Sequence, residues 1–199
     1  MHGQAKSAHT VRGVIFDLDG TLVDSALDFS AIRAELDFPP GIGLLEHIDT
    51  LDDPRAQAAA HQVILKHEMA GAMRATWMPG ARELVQRLHD GGLPVAILTR
   101  NAREVVAATL DIMALPFDPL LTREDCPPKP KPDGLLHIAR QWHLSPGELI
   151  YVGDFRFDLE AARNAGMRSC LYRNQRNADY AHEADWVIDH FDELRQRLL

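Results

Sequence analysis

Short apolar runs alternate along this chain with amphipathic helical patterns, and that alternation restricts the possible folds more than any other feature. Each run ends in polar residues and is typical of a buried strand. The order of strand, helix and strand predicts an α/β fold, with a parallel sheet covered by helices on both faces. The stronger strand patterns lie at 11–16, 93–98 and 149–152, and the weaker ones at 117–121, 167–172 and 186–188.

The stretch from 24 to 78 departs from this alternation because it has helical patterns and no convincing strand. Phe29 and Ile32 share one apolar stripe. A second stripe follows Asp53-Pro54, which has the pattern of an N-cap with proline in the first helical turn. We therefore expect an all-helical insert after the first strand.

Composition excludes several classes of protein. The length of 199 residues suits one compact domain or a domain with a small insert. Lysine and arginine number 21 and the acidic residues 29, so 21 − 29 gives a net charge of −8, which disfavours binding to nucleic acid or anionic lipid. No apolar run is long enough to span a membrane. Cys126 and Cys170 form no Cys-x-x-Cys pair, so we expect neither a disulfide framework nor structural zinc.

The N-terminal segment 1–10 is polar and has no apolar signal region, so we expect a flexible tail and a cytoplasmic protein.

The first strand leads directly into Asp17-Leu18-Asp19-Gly20-Thr21. Ligands of open parallel sheets bind at the carboxyl ends of the strands. Asp17 and Asp19 lie two residues apart, so in extended chain their carboxylates share a face and repel unless a cation joins them. Mg²⁺ is the natural cation for such oxygen ligands, although an acidic turn that caps a helix has the same residue types.

A second acidic pair, Asp154 and Asp158, follows the strand at 149–152. Gly153 permits a sharp turn, and the i, i+4 spacing predicts that both carboxylates lie on one side of the first turn of a helix. Either residue alone could be an N-cap. Because two strands of one sheet each end in an acidic pair, we expect four carboxylates around a metal ion.

Two further segments can complete a phosphate site. Thr99, Arg100 and Asn101 follow the strand at 93–98 and offer a hydroxyl, main-chain N–H groups and a helix start, although Thr99 alone also fits a helix cap. The loop 127–132 is rich in proline and holds Lys129 and Lys131. Proline fixes φ, so such a loop can hold a point charge in place at little entropic cost, and a solvated loop is the alternative.

Together these segments resemble the haloacid dehalogenase-like superfamily of phosphohydrolases, over residues 11–199. The branch they resemble has a helical cap and includes phosphoglycolate phosphatases and β-phosphoglucomutases. Asp17-Leu18-Asp19-Gly20-Thr21 matches the first motif of that superfamily, Asp-x-Asp-x-Thr, and Thr99 matches the second. Lys129, in Lys-Pro-x-Pro-Asp, matches the third motif. Gly153-Asp154 with Asp158 matches the fourth, Gly-Asp-x-x-x-Asp.

The resemblance implies a Rossmann-like core over 11–23 and 79–199, with a small all-helical cap over 24–78. It implies hydrolysis of a small phosphorylated metabolite such as phosphoglycolate, a sugar phosphate or a nucleotide, by a monomer or homodimer.

The resemblance also implies the site residues. Asp17 is the expected nucleophile, and Asp19 the expected acid and base. The expected ligands of Mg²⁺ are Asp17, Asp19 through its main-chain carbonyl, Asp154 and Asp158. The expected phosphate-binding residues are Thr99, Arg100, Asn101 and Lys129, with Lys129 preferred over Lys131. Thr21 is expected to brace the loop.

Three other functions compete with a phosphatase. A β-phosphoglucomutase-like mutase shares every core motif, but 24–78 shows no clear match to the residues that distinguish it. A phospho-signalling receiver domain is shorter and orders its acidic residues differently. A non-catalytic binding protein with this fold has nothing in its favour, because all the expected reactive side chains are present.

Overall fold

A computed structural model describes residues 10–199; the predicted flexible tail lies, apart from Thr10, outside the described residues. The strands are β1 Gly13–Phe16, β2 Val23–Asp24, β3 Thr76–Trp77, β4 Val95–Leu98, β5 Leu120–Leu121, β6 Leu149–Gly153, β7 Arg168–Tyr172 and β8 Trp186–Ile188. The helices are α1 Phe29–Leu36, α2 Leu44–Ile48, α3 Pro54–Ala72, α4 Ala81–Asp90, α5 Arg103–Met113, α6 Asp133–Gln141, α7 Arg156–Ala165 and α8 Phe191–Leu198, and short 3-10 helices lie at Pro146–Glu148 and Ala178–Glu183.

Six of the strands form one parallel sheet in the order β5-β4-β1-β6-β7-β8, which confirms the predicted α/β fold. β1 lies between β4 and β6, and every residue of these three strands is buried because both faces of the sheet are covered. Since the strands run in the same direction, their carboxyl ends meet at one edge of the sheet.

Side chains alternate between two faces along each strand, and each face has its own packing partners. Ile15 and Tyr151 pack in one cluster with residues of α6 and α7, such as Leu135. On the neighbouring position of β1, Phe16 lies 6.3 Å from the ring of Phe191, the first residue of α8. The predicted helices on both faces are therefore present.

The described chain divides by its packing into two units: a sheet unit over the residues up to Val23, Trp77–Arg100 and Leu115–Leu199, and a helical unit over Asp24–Thr76 and Asn101–Ala114. In the helical unit, α3 packs against α1, α2 and α5. The insert is helical as expected, apart from β2 and β3, two-residue strands at its ends that pair with each other.

The boundaries predicted for the helical segment, 24–78, differ from those of the helical unit. The unit additionally contains α5, because α5 packs on α3. That 24–78 acts as a cap over the substrate stays a prediction. Within the part of the chain that the structure describes, no helix is both long and apolar enough to cross a membrane.

Candidate active site

The acidic residues lie at the carboxyl ends of β1 and β6, two neighbouring strands of the sheet. The main-chain N–H of Asp17 donates to the carbonyl of Val152 at 2.8 Å, so the pairing of the two strands continues into the site. Asp154 follows the last residue of β6 directly. One carboxylate oxygen each from Asp17, Asp154 and Asp158 lies within 4.8 Å of the others. We call these three residues the carboxylate cluster.

Two glycines make room for the carboxylate cluster. A Cβ on Gly153 would lie 2.3 Å from Cγ of Asp158, and one on Gly20 would lie 2.7 Å from Oδ2 of Asp154. Gly20 also has φ of +81°, which other residues rarely adopt. Both glycines are therefore required by the close approach of a carboxylate, in addition to any turn that they permit.

The two carboxylates of the second acidic pair reach the cluster from different backbone positions. The prediction that Asp154 and Asp158 share the first turn of a helix is wrong, because α7 begins at Arg156 with Phe155 as its N-cap. Asp158 lies in the first turn, is 2% exposed, and accepts a hydrogen bond from the Phe155 N–H at 2.9 Å. Asp154 precedes the helix, in the turn that follows β6.

Lys129 joins two members of the carboxylate cluster. Its ammonium group donates to Oδ1 of Asp17 at 2.8 Å, to Oδ1 of Asp158 at 2.6 Å and to the hydroxyl of Tyr151 at 2.9 Å. An ammonium group has three N–H donors, so these bonds use all of them. Lys129 is buried whereas Lys131 is exposed. This difference in burial distinguishes the two lysines of the loop and agrees with the preference for Lys129.

Tyr151 is a site residue that sequence reasoning missed. It lies in β6, its ring is fully buried, and its hydroxyl donates to the main-chain carbonyl of Leu98 at 2.9 Å. The same hydroxyl lies 3.1 Å from Oδ1 of Asp158. A hydroxyl within an otherwise apolar buried strand was the available signal, since buried polar groups require partners.

The charges of the site are unbalanced. Burial raises the pKa of Asp17 to about 6, against the lowering effect of the nearby Lys129 ammonium. Burial and the neighbouring carboxylates raise the pKa of Asp154 well above its usual value. Burial lowers the pKa of Lys129, but Asp158 and Asp17 more than offset this and the net shift is upward. With all three carboxylates ionised, the site would carry a charge of 1 − 3 = −2, and a divalent cation would offset that charge and favour the ionised forms.

The donor set fits Mg²⁺ in particular. Carboxylate oxygens are the hard ligands that this ion binds, and Mg²⁺ is usually held by a few carboxylates together with water and substrate phosphate. The acidic oxygens lie close enough together to share one ion. Gly20 and Gly153 leave room for the carboxylates of Asp154 and Asp158, which a Cβ at either glycine would displace.

The remaining predicted site residues are placed around this cluster. Asp19 is half-buried, and its side chain is not one of the three clustered carboxylates. The N–H of Thr99 donates to the carbonyl of Leu121 at 3.0 Å, and Thr99 does not cap α5, whose N-cap is Ala102. Thr21 is buried, and its hydroxyl has no hydrogen-bond partner among the described residues, so the expected brace is not a hydrogen bond.

Arg100 and Asn101 fall in different units of the chain. Arg100 belongs to the sheet unit. Its guanidinium lies 5.4 Å from the centre of the ring of Phe157, a residue that lies between Asp154 and Asp158 in the sequence. Asn101 belongs to the helical unit by its packing.

A second group of missed residues follows β7 and contacts Asp154. The side chain of Asn177 donates to the main-chain carbonyl of Asp154 at 2.8 Å, and the hydroxyl of Tyr180 donates to the same carbonyl at 3.2 Å. Asn174 donates to Oδ2 of Asp154 at 3.4 Å. Burial raises the pKa of Tyr180 to about 12, so its hydroxyl stays protonated at neutral pH.

Comparisons with known proteins identify the family. The family model for haloacid dehalogenase-like hydrolases matches residues 11–166. A haloacid dehalogenase-like hydrolase domain-containing protein of Arabidopsis thaliana is 34% identical over 173 residues, which cover 81% of this chain and 70% of that protein. Phosphoglycolate phosphatase 1 of Pseudomonas aeruginosa is 30% identical and covers 94% of this chain and 78% of its own.

The fold is also shared with solved structures. A hydrolase of the haloacid dehalogenase-like family from Streptococcus pneumoniae matches with a TM-score of 0.73 at 22% identity, over 95% of this chain and 99% of that one. The chain therefore belongs to the haloacid dehalogenase-like hydrolases. Within that family its similarity to phosphatases identifies it as an enzyme of the phosphatase type, as the sequence motifs predicted.

Proposed function

We propose that this chain is a Mg²⁺-dependent phosphomonoester hydrolase that acts on a small phosphorylated metabolite in the cytoplasm, through an aspartyl-phosphate on Asp17. The observation that carries the proposal is the carboxylate cluster at the ends of β1 and β6, two of whose members are buried and share the single ammonium of Lys129. Similarity to phosphoglycolate phosphatase 1 of Pseudomonas aeruginosa supports a small phosphomonoester as the substrate class.

In the first proposed step, a carboxylate oxygen of Asp17 forms a bond to phosphorus while the bond from phosphorus to the leaving oxygen breaks. Asp19 gives its proton to that leaving oxygen. In the second step, Asp19 takes a proton from water, the water oxygen attacks phosphorus, and the Asp17 carboxylate leaves with inorganic phosphate released. Asp19 suits this exchange of protons because it is only half-buried and lies two residues after the nucleophile in the chain.

Lys129 has a different task in the ground state and after Asp17 has been phosphorylated. In the structure all three of its N–H groups are used, one of them by Oδ1 of Asp17. Once Asp17 carries the phosphoryl group its negative charge passes to the phosphoryl oxygens, and the N–H that faced the carboxylate can donate to one of them. Asp158 and Tyr151 keep the ammonium group in place meanwhile.

The other phosphate contacts in the proposal come from Thr99, Arg100 and Asn101, which follow β4. The carboxylates of Asp17, Asp154 and Asp158, with the main-chain carbonyl of Asp19, would hold Mg²⁺. When bound, this ion offsets the negative charge of the site and of the phosphoryl oxygens. The carboxylate cluster alone repels a phosphate dianion, so we expect turnover to depend on the cation.

The test is hydrolysis of p-nitrophenyl phosphate by the full chain, with Mg²⁺ or with a chelator, in wild type and Asp17→Asn. We expect Mg²⁺-dependent release that Asp17→Asn reduces at least about 10³-fold, as the loss of a nucleophile does. Asp111→Asn makes the same chemical change at an exposed position of α5 and should retain activity. Mass spectrometry of the rapidly quenched wild type should find one phosphoryl group on the peptide that contains Asp17.

Normal turnover by Asp17→Asn would refute the proposed nucleophile. Equal turnover with Mg²⁺ and with the chelator would refute the proposed metal dependence. A folded wild type that hydrolyses neither p-nitrophenyl phosphate nor a panel of phosphorylated metabolites would refute the phosphomonoester substrate.

A further inference from the structure

Asp154 differs from the other two members of the carboxylate cluster in what holds it. Asp17 and Asp158 each accept a hydrogen bond from the Lys129 ammonium, at 2.8 and 2.6 Å. Asp154 has no such ion pair among the described residues and is only half-buried. In its ionised form, which a cation requires, the Asp154 carboxylate is repelled by its two anionic neighbours and would turn toward solvent unless its backbone were fixed.

The fixing contacts come from the segment that follows β7. Asn177 and Tyr180 both donate to the main-chain carbonyl of Asp154, at 2.8 and 3.2 Å, and so occupy both lone pairs of that oxygen. Asn174 donates to the Asp154 carboxylate itself at 3.4 Å. We call Asn174, Asn177 and Tyr180 the Asp154 clamp.

Asn177 is the centre of the Asp154 clamp and is 1% exposed. Its other amide hydrogen donates to the carbonyl of Tyr172 at 2.9 Å, and its Oδ1 accepts from the Asn174 N–H at 2.8 Å. The Asn177 side chain therefore ties the end of β7 to the residue that follows β6. A buried polar group with its partners satisfied in this way is rigid, because no alternative arrangement satisfies it as well.

The 3-10 helix Ala178–Glu183, which carries Tyr180, is itself attached to α7. Arg156 pairs with Glu183 at 2.8 Å, and its guanidinium lies 5.1 Å from the centre of the Tyr180 ring. Arg163 lies 3.7 Å from the same carboxylate of Glu183. The Tyr180 hydroxyl is thus supported from the helix that also carries Asp158. All of these clamp residues lie beyond residue 166, where the match to the family ends.

We propose that Asn174, Asn177 and Tyr180 are positioning residues that hold Asp154 toward Asp17 and Asp158, and so set the affinity of the site for its divalent cation. This inference rests on the proposed function, because it takes the carboxylate cluster to be a Mg²⁺ site. Groups that orient a metal ligand commonly change metal affinity 10- to 100-fold when removed. The clamp should act on cation binding and leave the saturated rate nearly unchanged, since among the described residues none of its side chains is hydrogen-bonded to Asp17 or Lys129.

The experiment measures the Mg²⁺ dissociation constant of the full chain by calorimetric titration, together with the Mg²⁺ concentration for half-maximal turnover. Tyr180→Phe removes one hydrogen bond and should raise the dissociation constant about 2- to 10-fold. Asn177→Ala should raise it about 10- to 100-fold. In both variants, kcat at saturating Mg²⁺ should stay within about threefold of wild type.

Tyr172→Phe is the matched control. It makes the same chemical change in the same part of the chain, but its ring stacks on Phe191 at 4.9 Å and its hydroxyl has no hydrogen bond among the described residues. It should leave both Mg²⁺ readouts at their wild-type values. Tyr180→Phe decides the question if Asn177→Ala fails to fold.

Asp154→Asn separates this inference from the proposed function. If Asp154→Asn and the clamp variants all weaken Mg²⁺ binding, the inference stands. If Asp154→Asn weakens binding while Tyr180→Phe and Asn177→Ala keep the wild-type dissociation constant, or lose only thermal stability, the clamp is overturned and the metal site stands. If Asp154→Asn itself binds Mg²⁺ as wild type does, the proposed metal site fails and the inference fails with it.

Discussion

The sheet unit and the helical unit bury their residues to very different degrees. Every residue of β1, β4 and β6 is buried, whereas α3 buries five of its nineteen residues. The one cluster of acidic side chains found among the described residues that could hold a metal ion lies in the sheet unit. A close-packed sheet fixes the ends of its strands, and a reaction needs that fixed geometry. The difference indicates that the chemistry depends on the sheet unit. Substitutions at Gly20 and Gly41 compare the two units directly, and changes at Lys129 and Asp17 test the centre of the sheet unit.

The largest expected effect distinguishes the two lysines of the loop before α6. Lys129→Ala removes the ammonium that Asp17 and Asp158 share, and should lower kcat/KM about 10²- to 10³-fold, as the loss of a transition-state donor does. It should also lower the free energy of unfolding at pH 7 by about 3 to 5 kcal/mol, because buried carboxylates lose their partner. Steady-state kinetics and denaturant titration measure both effects.

Lys131→Ala is the control for that pair, since Lys131 is exposed and two residues away. A surface change of this kind should alter kcat/KM by no more than about twofold and the free energy of unfolding by no more than about 0.5 kcal/mol. Similar losses in the two variants would mean that the charge of the loop matters and the contact of Lys129 does not.

A smaller effect is expected from the same Gly→Ala change in each unit. Gly20 and Gly41 both have positive φ, +81° and +86°, so alanine at either position should cost about 1 to 2 kcal/mol of folding free energy. Only at Gly20 does the added Cβ meet Asp154, at 2.7 Å; at Gly41 nothing lies within 4 Å. Gly20→Ala should therefore also weaken Mg²⁺ binding at least about tenfold.

Calorimetric Mg²⁺ titrations of Gly20→Ala and Gly41→Ala test that pair. Wild-type Mg²⁺ affinity in Gly20→Ala would show that Asp154 moves aside without consequence, and a loss in Gly41→Ala would show that the helical unit contributes to cation binding.

A pH dependence of stability is expected in the metal-free protein. The pKa of Asp17 is raised from 3.8 to about 6, so between these values the folded chain binds more protons than the unfolded chain. The free energy of unfolding must then fall as pH rises through this window, by about 2 to 3 kcal/mol in total, which is the size that the pKa shift sets. The difference in unfolding free energy between wild type and Asp17→Asn reports the contribution of Asp17 together with its coupling to the neighbouring carboxylates, because carboxyls far from the site cancel.

Above pH 6, without Mg²⁺, Asp17→Asn should thus be at least as stable as wild type. Mg²⁺ binds the ionised carboxylate, so its affinity for wild type should rise with pH across the same window. Wild-type stability that increases relative to Asp17→Asn between pH 4 and 6 would contradict the assigned direction.

The sequence predicted the sheet well where strands are apolar on both faces. The strand at 186–188 has the predicted bounds, and those at 11–16 and 93–98 begin two residues later than expected. The weak strand at 117–121 is reduced to Leu120–Leu121 in β5. Pro119 lacks an N–H donor, and its carbonyl alone takes part in the pairing, accepting from Ile97 at 3.2 Å.

The candidate site was predictable to the extent that it consists of side chains at strand ends. Of the four carboxylates expected around one ion, those of Asp17, Asp154 and Asp158 come together, and that of Asp19 is not in the cluster. Asn177 and Tyr180 could not be predicted, because their partner is a main-chain carbonyl and any residue at 154 presents one. The backbone path of Asp154 was also missed, since i, i+4 spacing implies one helix face only if the helix has already begun.

The contacts of Lys129 also determine when the site can exist during synthesis of the protein. Lys129 lies 112 residues after Asp17 and 29 residues before Asp158 in the chain. On the ribosome the nucleophile therefore emerges long before the ammonium that pairs with it, and the last carboxylate later still. Because domains fold as units, a nascent chain that carries the first motif has no competent centre until β6 and α7 have left the exit tunnel and joined β1. Phosphatase activity can therefore arise only after most of the chain has been synthesised and the sheet has formed.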